Sequence, residues 1–203
     1  MTVFLGDAAD YGPLPAKCVE MLRQRADIMI KGNHDAAVAE GYQCGFYRGV
    51  PDEIRDLNRQ MLSQEALSFL AALPPTHRFE FGGARFLAVH ASVSDPLSGY
   101  LFPFLSDAVW HQQVALAQTD FLLLGHTHWP MVRRFGDVTV VNPGSIGQPR
   151  DGDPRSSYAV WQDGEVGLKR CEYPVEETVQ ALQRADLHPE TINLLCAILR
   201  NGG

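Results

Sequence analysis

Residues 121–128 read Phe-Leu-Leu-Leu-Gly-His-Thr-His, an apolar run that ends in a glycine and two histidines. A short apolar run bounded by glycine is typical of a buried β-strand, so the polar residues after it lie at the strand's carboxyl end. Histidines at positions i and i+2 of a loop can both bind metal, whereas a purely structural role rarely needs both. The stretch therefore predicts a strand whose end carries two metal ligands, His126 and His128.

The same pattern occurs three more times in the chain. The runs are Thr2–Leu5 before Gly6-Asp7, Ile28–Ile30 before Lys31-Gly32-Asn33-His34-Asp35, and Phe86–Val89 before His90. Open α/β sheets place their ligands at the carboxyl ends of strands, so we expect the four polar clusters to converge on one site. A carboxylate, an amide oxygen and imidazoles, without a thiolate, suit Mn²⁺, Fe, Zn²⁺ or Ni²⁺.

Each ligand candidate also has a structural interpretation when it is taken alone. Asp7 could form a turn or cap a helix, and Asn33 could be a turn residue with a positive φ. His90 could be a hydrogen-bonded histidine of the core. These alternatives stay open for the single residues.

The regions between these clusters predict an α/β fold that becomes antiparallel towards the carboxyl end. Residues 14–25, with Pro15 at the first helical position, predict the helix of a βαβ unit. Further helices are expected over residues 52–73 (two segments, the second capped by Ser63), 106–117, 175–185 and 189–200. Alternating hydrophobicity predicts antiparallel strands over residues 131–135, 138–141, 158–161 and 166–171.

The composition favours a single globular domain over residues 1–203. A formal net charge of −7 argues against binding to a nucleic acid polymer or an anionic membrane. The four cysteines, which are Cys18, Cys44, Cys171 and Cys196, form no C-x-x-C motif and are expected to be reduced and mostly buried. No run is long enough to span a membrane, and we expect a cytoplasmic protein that could form a homo-oligomer.

Taken together, the clusters resemble a known family. The motifs are Gly6-Asp7 with Gly12-Pro13, Gly32-Asn33-His34-Asp35, Val89-His90-Ala91-Ser92, Gly125-His126-Thr127-His128 and Asn142-Pro143-Gly144-Ser145. In order and spacing they resemble the calcineurin-like metallophosphoesterases, in particular the small bacterial and archaeal phosphodiesterases. The resemblance extends from residue 1 to about residue 162.

This resemblance implies a four-layer α/β/β/α sandwich of two mixed sheets with a dinuclear metal site. It implies that Asp7 bridges the two ions and that His128 binds the second ion. The ligands it implies for the first ion are Asp7, Asn33, His90 and His126. Mn²⁺ is the favoured metal, with Fe, Ni, Zn and Mg as alternatives.

The sequence departs from the family pattern at its beginning. The family starts with a strand that ends in D-x-H, and the motif, with its strand and helix, is missing before Asp7; Asp10 is followed by Tyr11 and Gly12 and does not replace it. Asp7 and His128 are only two ligands for a second ion, which we therefore expect to bind weakly or not at all. Either the sequence begins at an internal methionine or has lost its N-terminus, or it is a true short form.

The expected activity is hydrolysis of a small phosphodiester or other phosphate ester by attack of metal-bound hydroxide. His34 is the candidate general acid because it follows Asn33 directly, and Asp35 beside it could orient the imidazole. The alternatives are a catalytically impaired scaffold that binds a protein, and a phosphomonoesterase or protein phosphatase of the same superfamily. Arg150 and Arg155 could contact a substrate phosphate or lie on the surface. Several aromatic residues could stack on a nucleobase or simply pack: Tyr42, Phe46, Tyr47, Tyr100, Phe102 and Phe104.

Overall fold

A computed structural model describes residues 1–43 and 52–203 of the chain, so Cys44, Phe46 and Tyr47 lie outside the described residues. The helices are α1 (Pro15–Arg25), α2 (Asn33–Glu40), α3 (Glu53–Met61), α4 (Gln64–Ala72), α5 (Asp107–Ala117), α6 (Val175–Gln183) and α7 (Pro189–Asn201). The strands are β1 (Val3–Phe4), β2 (Ile28–Met29), β3 (Thr76–Phe81), β4 (Ala84–Val89), β5 (Phe121–Leu123), β6 (Met131–Phe135), β7 (Val138–Asn142), β8 (Ser156–Gln162) and β9 (Glu165–Cys171).

The strands form a mixed sheet and two strand pairs. The five-stranded sheet has the order β3-β4-β5-β7-β6, in which the three central strands are parallel and the two edge strands antiparallel. Strands β1 and β2 pair in parallel, and β8 and β9 form an antiparallel hairpin. The predicted α/β class with a mixed sheet is confirmed, and the described strands are divided among three hydrogen-bonded sheets.

Most of the predicted elements are confirmed. Strand β1, helix α1 and strand β2 make the expected βαβ unit, and Pro15 is the first residue of α1. The Ser63 side chain accepts a hydrogen bond from the Ala66 N–H and caps α4, as predicted. The two hairpins after His128 and the two carboxyl-terminal helices also lie where the pattern placed them.

Two elements were not predicted, although the sequence contains signals for both. Helix α2 begins at Asn33, and Asp35 accepts a hydrogen bond from the Gly32 N–H ahead of it. An acidic residue in the first turn and Gly41 at the carboxyl end are both typical of a short helix. Strand β3 pairs with β4 across Gly82-Gly83, a dipeptide that is typical of a tight hairpin.

The buried apolar residues of the described chain form three clusters, one against the five-stranded sheet and two among the helices. Helix α5 covers one face of the five-stranded sheet, where the buried Trp110 ring packs in a cluster with Leu87, Leu122 and Val140. A second cluster joins α3, α6 and α7, and a third joins α1, α2 and α4. The carboxyl ends of the strands are thus held by packed helices.

The described cysteines differ in their exposure to solvent. Cys196 is buried, but Cys18 and Cys171 are exposed, so the expectation of burial is wrong for those two cysteines.

Across residues 1–43 and 52–203, no helix has the length and apolar character needed to cross a membrane.

Candidate metal centre

The four strand-end clusters meet in space. Asp7 follows β1, Asn33 begins α2 four residues after the end of β2, and His90 and His126 follow β4 and β5. One ligand atom from each of Asp7, His90 and His126 lies within 4.8 Å of the others. The Asn33 Oδ1 atom lies 2.9 Å from both His90 Nε2 and His126 Nδ1. The structure therefore brings these four candidates together at one position.

The orientation of His90 is fixed from the opposite side of its ring. Its Nδ1 lies 2.6 Å from the Leu5 carbonyl oxygen, which can only accept, so Nδ1–H is the donor. The other ring nitrogen, Nε2, then lies 3.1 Å from Asp7 Oδ2 and 2.9 Å from Asn33 Oδ1. A histidine whose second nitrogen is anchored in this way is the usual arrangement of a metal ligand.

The electrostatics of the cluster also suit a cation. Burial alone raises the pKa of Asp7, but the His90 and His34 imidazoles outweigh that effect and lower the pKa well below its ordinary value. Burial, together with the charge of His90, lowers the pKa of His126 to about 3. At neutral pH, Asp7 is therefore ionised and His126 is neutral, and both forms are those that bind metal. Burial acts against the charged form of His90, but the Asp7 carboxylate outweighs it and raises the pKa of His90, so a metal ion would take the place of the proton on His90 Nε2.

Two buried polar atoms at the centre are poorly satisfied. Within the part of the chain that the structure describes, His126 Nε2 is buried and makes no hydrogen bond, and the buried Asp7 Oδ2 has its contact with His90 Nε2 at 3.1 Å. A buried polar atom without a partner costs free energy, because it has lost its contact with water. A divalent cation would satisfy both atoms, so the residues present fit the ion that the donor set indicates.

His128 is held beside the cluster. Its Nδ1 donates to the Gln148 carbonyl oxygen over 2.6 Å, and burial together with the Arg150 charge lowers the pKa of the imidazole to about 3. Among the described residues, the group of mutually close ligand atoms does not extend to His128. Its assignment to a second ion stays a prediction.

Two glycines allow the chain segments to approach closely enough to form the cluster. A Cβ added at Gly32 would lie 2.0 Å from Asp7 Oδ1 and 2.4 Å from the Asp7 backbone nitrogen. Gly6 has a φ of +94°, and a Cβ there would lie 2.7 Å from His90 Nδ1. Both contacts are shorter than any side chain tolerates, so glycine is needed at both positions.

The structure corrects the role predicted for Asp35. Instead of orienting His34, the Asp35 carboxylate accepts hydrogen bonds from the backbone N–H groups of four residues. These are Asp7, Ala8, Ala9 and Gly32. Burial and the nearby Asp7 charge raise the pKa of Asp35. Asp35 therefore holds the loop after β1 against the start of α2, and the Asp7 carboxylate is positioned through that loop.

Asp10 makes the contact that the sequence analysis assigned to Asp35. Its Oδ2 lies 3.0 Å from His34 Nδ1 and 3.5 Å from Arg55 Nε, and the Asp10 side chain is fully buried, with 0% exposed. The His34 backbone N–H donates to Asp7 Oδ1, and the Tyr11 ring lies 4.8 Å from the imidazole. Asp10 lies three residues after Asp7 on the same loop, and the sequence gives no sign that it, rather than Asp35, meets His34.

Asn142, in the segment 142–145, holds the histidine loop, which comprises residues 125–128, through side-chain hydrogen bonds. The Asn142 side-chain amide donates to the Gly125 carbonyl oxygen over 2.6 Å and to Thr127 Oγ1 over 3.0 Å. Both histidines of this loop have positive φ values, 56° for His126 and 57° for His128, which disfavour any side chain larger than glycine. The Asn142 hydrogen bonds therefore hold the loop in a conformation that it would not adopt alone.

The two candidate phosphate-binding arginines differ in their surroundings. Arg155 is exposed and pairs with Asp153 at 2.6 Å. Arg150 is half-buried, donates to Gln148 Oε1 over 3.1 Å, and carries a charge that acts on His126, His128 and Tyr11. Only Arg150, of these two, lies beside the metal centre.

Comparison with known proteins agrees with this geometry. The model of the calcineurin-like phosphoesterase superfamily domain matches residues 2–163. The chain belongs to the calcineurin-like phosphoesterase superfamily. This family binds divalent metal, and its members are phosphoesterases, a class of hydrolase. The matched range contains all of the candidate ligands.

Relatives of this calcineurin-like chain occur in archaea and bacteria. It is 28% identical over 196 residues to the uncharacterized protein MJ0912 of Methanocaldococcus jannaschii, covering 88% of this chain and 78% of that protein. The crystal structure of a metallophosphoesterase from Sphaerobacter thermophilus has a TM-score of 0.80 and 28% identity, covering 100% of this chain and 88% of that one. A 42-residue segment is 45% identical to phosphodiesterase YfcE of Escherichia coli K12, covering 21% and 23% of the two chains.

Proposed function

We propose that this chain is a metal-dependent phosphoesterase that hydrolyses phosphodiesters, with His34 as the general acid. The observation that carries the proposal is the convergence of Asp7, Asn33, His90 and His126 beside a histidine that is bound to a buried carboxylate. The local similarity to phosphodiesterase YfcE supports diesters as the substrate class. Mn²⁺ is the proposed metal because the donor set is oxygen and imidazole nitrogen.

The metal ligands and His34 would divide the chemistry between them. A divalent ion bound by the cluster supplies charge neutralisation for the phosphoryl oxygens and lowers the pKa of a coordinated water. The leaving alkoxide needs a proton, and His34 can donate it from Nε2 because Nδ1 is bound to Asp10. The bond from the His34 backbone N–H to Asp7 Oδ1 keeps the acid at a fixed distance from the ligand.

Arg150 would bind a nonreacting oxygen of the substrate phosphate. Its guanidinium is held by Gln148 Oε1 and by a hydrogen bond with Tyr11. The Gln148 backbone carbonyl oxygen accepts the hydrogen bond from His128, so one residue positions both the arginine and a histidine of the metal centre. A planar guanidinium matches two phosphate oxygens at once.

Turnover of two substrates tests the proposal. The purified protein with Mn²⁺ should hydrolyse bis-p-nitrophenyl phosphate faster than the monoester p-nitrophenyl phosphate. The His34→Asn variant should lose about 10²- to 10⁴-fold in kcat for an alkyl diester such as glycerophosphocholine. The loss should be smaller for bis-p-nitrophenyl phosphate, because p-nitrophenolate leaves without a proton. His188→Asn, an exposed histidine at the start of α7, is the matched control.

Two results would contradict the proposal. Absence of turnover with Mn, Fe, Ni, Zn and Mg would exclude catalysis and favour the protein-binding scaffold. An equal loss for both leaving groups in His34→Asn would exclude His34 as the acid.

A further inference from the structure

A row of stacked aromatic rings begins at the metal centre and extends to the surface. The Tyr100 ring lies 4.3 Å from the His126 ring and stacks on Phe102 at 5.7 Å, with 13° between the planes. Phe102 in turn stacks on Phe104 at 5.2 Å and 7°. We refer to Tyr100, Phe102 and Phe104 as the aromatic row. Trp129, directly after His128, stands at 87° to Phe104 with 6.3 Å between ring centres, so the two rings form a corner.

The turn at residues 100–105 separates its aliphatic side chains from its aromatic ones. Leu101 is buried in the core of the five-stranded sheet, and Leu105 packs against the same core. Tyr100 is 39% exposed and Phe104 72% exposed, so these rings face outward. Exposing a row of large rings is unfavourable in water, and such patches mark binding sites.

The row is held in place before any ligand arrives. Arg133 donates to the Pro103 carbonyl oxygen over 2.8 Å and pairs with Asp107 at 2.7 Å, and the Leu105 N–H donates to the Phe102 carbonyl oxygen. A rigid aromatic surface loses little conformational entropy on binding. The Arg133 charge is balanced by Asp107, so this arginine is not available as a free cation for the backbone of a nucleic acid polymer.

We propose that the aromatic row binds the base of a nucleotide phosphodiester whose phosphate lies at the metal centre. The placement of the phosphate rests on the proposed function. Parallel rings and a perpendicular neighbour suit a flat aromatic group, whereas a flexible alkyl chain gains nothing from ring alignment. Stacking is tolerant of base identity, so the row selects for a base without distinguishing among bases.

Equilibrium binding to two ligands that differ only in the base tests the inference. Calorimetric titration of the Mn²⁺-loaded protein with adenosine 5′-monophosphate and with ribose 5-phosphate requires no turnover. We expect the nucleotide to bind about 5- to 100-fold more tightly. Phe104→Leu removes the aromatic ring but keeps an apolar side chain. In this variant the Kd values of the two ligands should differ by no more than about twofold, and the Kd of ribose 5-phosphate should stay as in the unaltered protein. Phe104→Trp should keep the ratio, and Tyr158→Ala, which removes an exposed ring on β8, is the control.

The results separate this inference from the proposed function. Equal binding of the two ligands by the unaltered protein, or binding of neither, would overturn the role of the row. A base preference that survives in both Phe104→Leu and Phe102→Leu would overturn it as well. If diesters are hydrolysed without a base preference, the phosphoesterase proposal stands and the row proposal fails. If base-dependent binding occurs without hydrolysis, the aromatic-row proposal stands and the phosphoesterase proposal fails.

Discussion

At the scale of single residues, the contact between Asp10 and His34 orients the imidazole that we propose as the general acid. A buried carboxylate that binds one imidazole nitrogen fixes the ring orientation and its tautomer. The Asp10 Oδ2 atom faces His34 and Arg55. Asp10 is therefore a positioning residue, and its loss should affect proton donation more than substrate or metal binding.

The Asp10→Asn variant tests this role. We expect kcat for glycerophosphocholine to fall about 10- to 100-fold, with KM changed less than threefold, because part of the general-acid contribution is lost. The rate for bis-p-nitrophenyl phosphate should change little. Metal content and melting temperature, measured alongside, should match the unaltered protein. A parallel fall for both substrates together with lost metal would assign Asp10 a structural role instead.

At the scale of elements, the histidine loop after β5 depends on the segment after β7. Asn142 is buried, and its amide is the side-chain donor that satisfies both the Gly125 carbonyl oxygen and Thr127 Oγ1. The loop positions His126 and His128 only while these bonds hold its positive-φ conformation. The two motifs therefore act as one unit, although they lie on different strands.

Replacing Asn142 by alanine should loosen this unit. We expect the free energy of unfolding to fall by about 1–3 kcal/mol, because buried acceptors lose their donor. Metal affinity should fall about 10- to 100-fold, as it does when groups that orient metal ligands are removed. Urea denaturation and calorimetric Mn²⁺ titration measure the two effects, with the exposed Asn193→Ala on α7 as the control. Unchanged metal affinity in the variant would show that the loop does not need this support.

The sequence predicted the strand ends better than the contacts between side chains. Apolar runs that stop at Asp7, His90 and His126 located the cluster, because strand ends in an α/β fold share one edge. The pairing of His34 with Asp10 rather than Asp35 could not be read from the sequence. Chain proximity favours the adjacent Asp35, but helix α2 turns its carboxylate towards the backbone of residues 7–9. Helical geometry, and not distance along the chain, decides which carboxylate meets the imidazole.

At the scale of the whole molecule, the metal centre joins regions that belong to separate apolar clusters. His90 and His126 follow strands covered by α5, whereas the loop after β1 packs with α1 and α4. An ion that needs ligands from both regions binds the folded chain but not the unfolded chain. We therefore expect the bound ion to raise the free energy of unfolding.

Metal removal should lower the melting temperature. At a Mn²⁺ concentration about 100 times Kd, binding adds about 2.7 kcal/mol, which corresponds to a rise in Tm of roughly 5–10 °C. Treatment with EDTA should reverse the rise, and scanning calorimetry measures both steps. Asp7→Ala should show no metal-dependent rise, while Asp163→Asn, in the exposed β8–β9 turn, should behave as the unaltered protein does. A full rise in Asp7→Ala would place the ion elsewhere.

The distances along the chain between site partners have a consequence for folding kinetics. His90 contacts Leu5 across 85 residues, and His126 contacts Asn33 across 93. Closing such long loops costs more entropy than closing the 28-residue separation between Asp7 and Asp35. The loop after β1 can therefore form early with α2, whereas the two histidines arrive only when the sheet is complete. We therefore expect the proposed metal site to be completed late in folding.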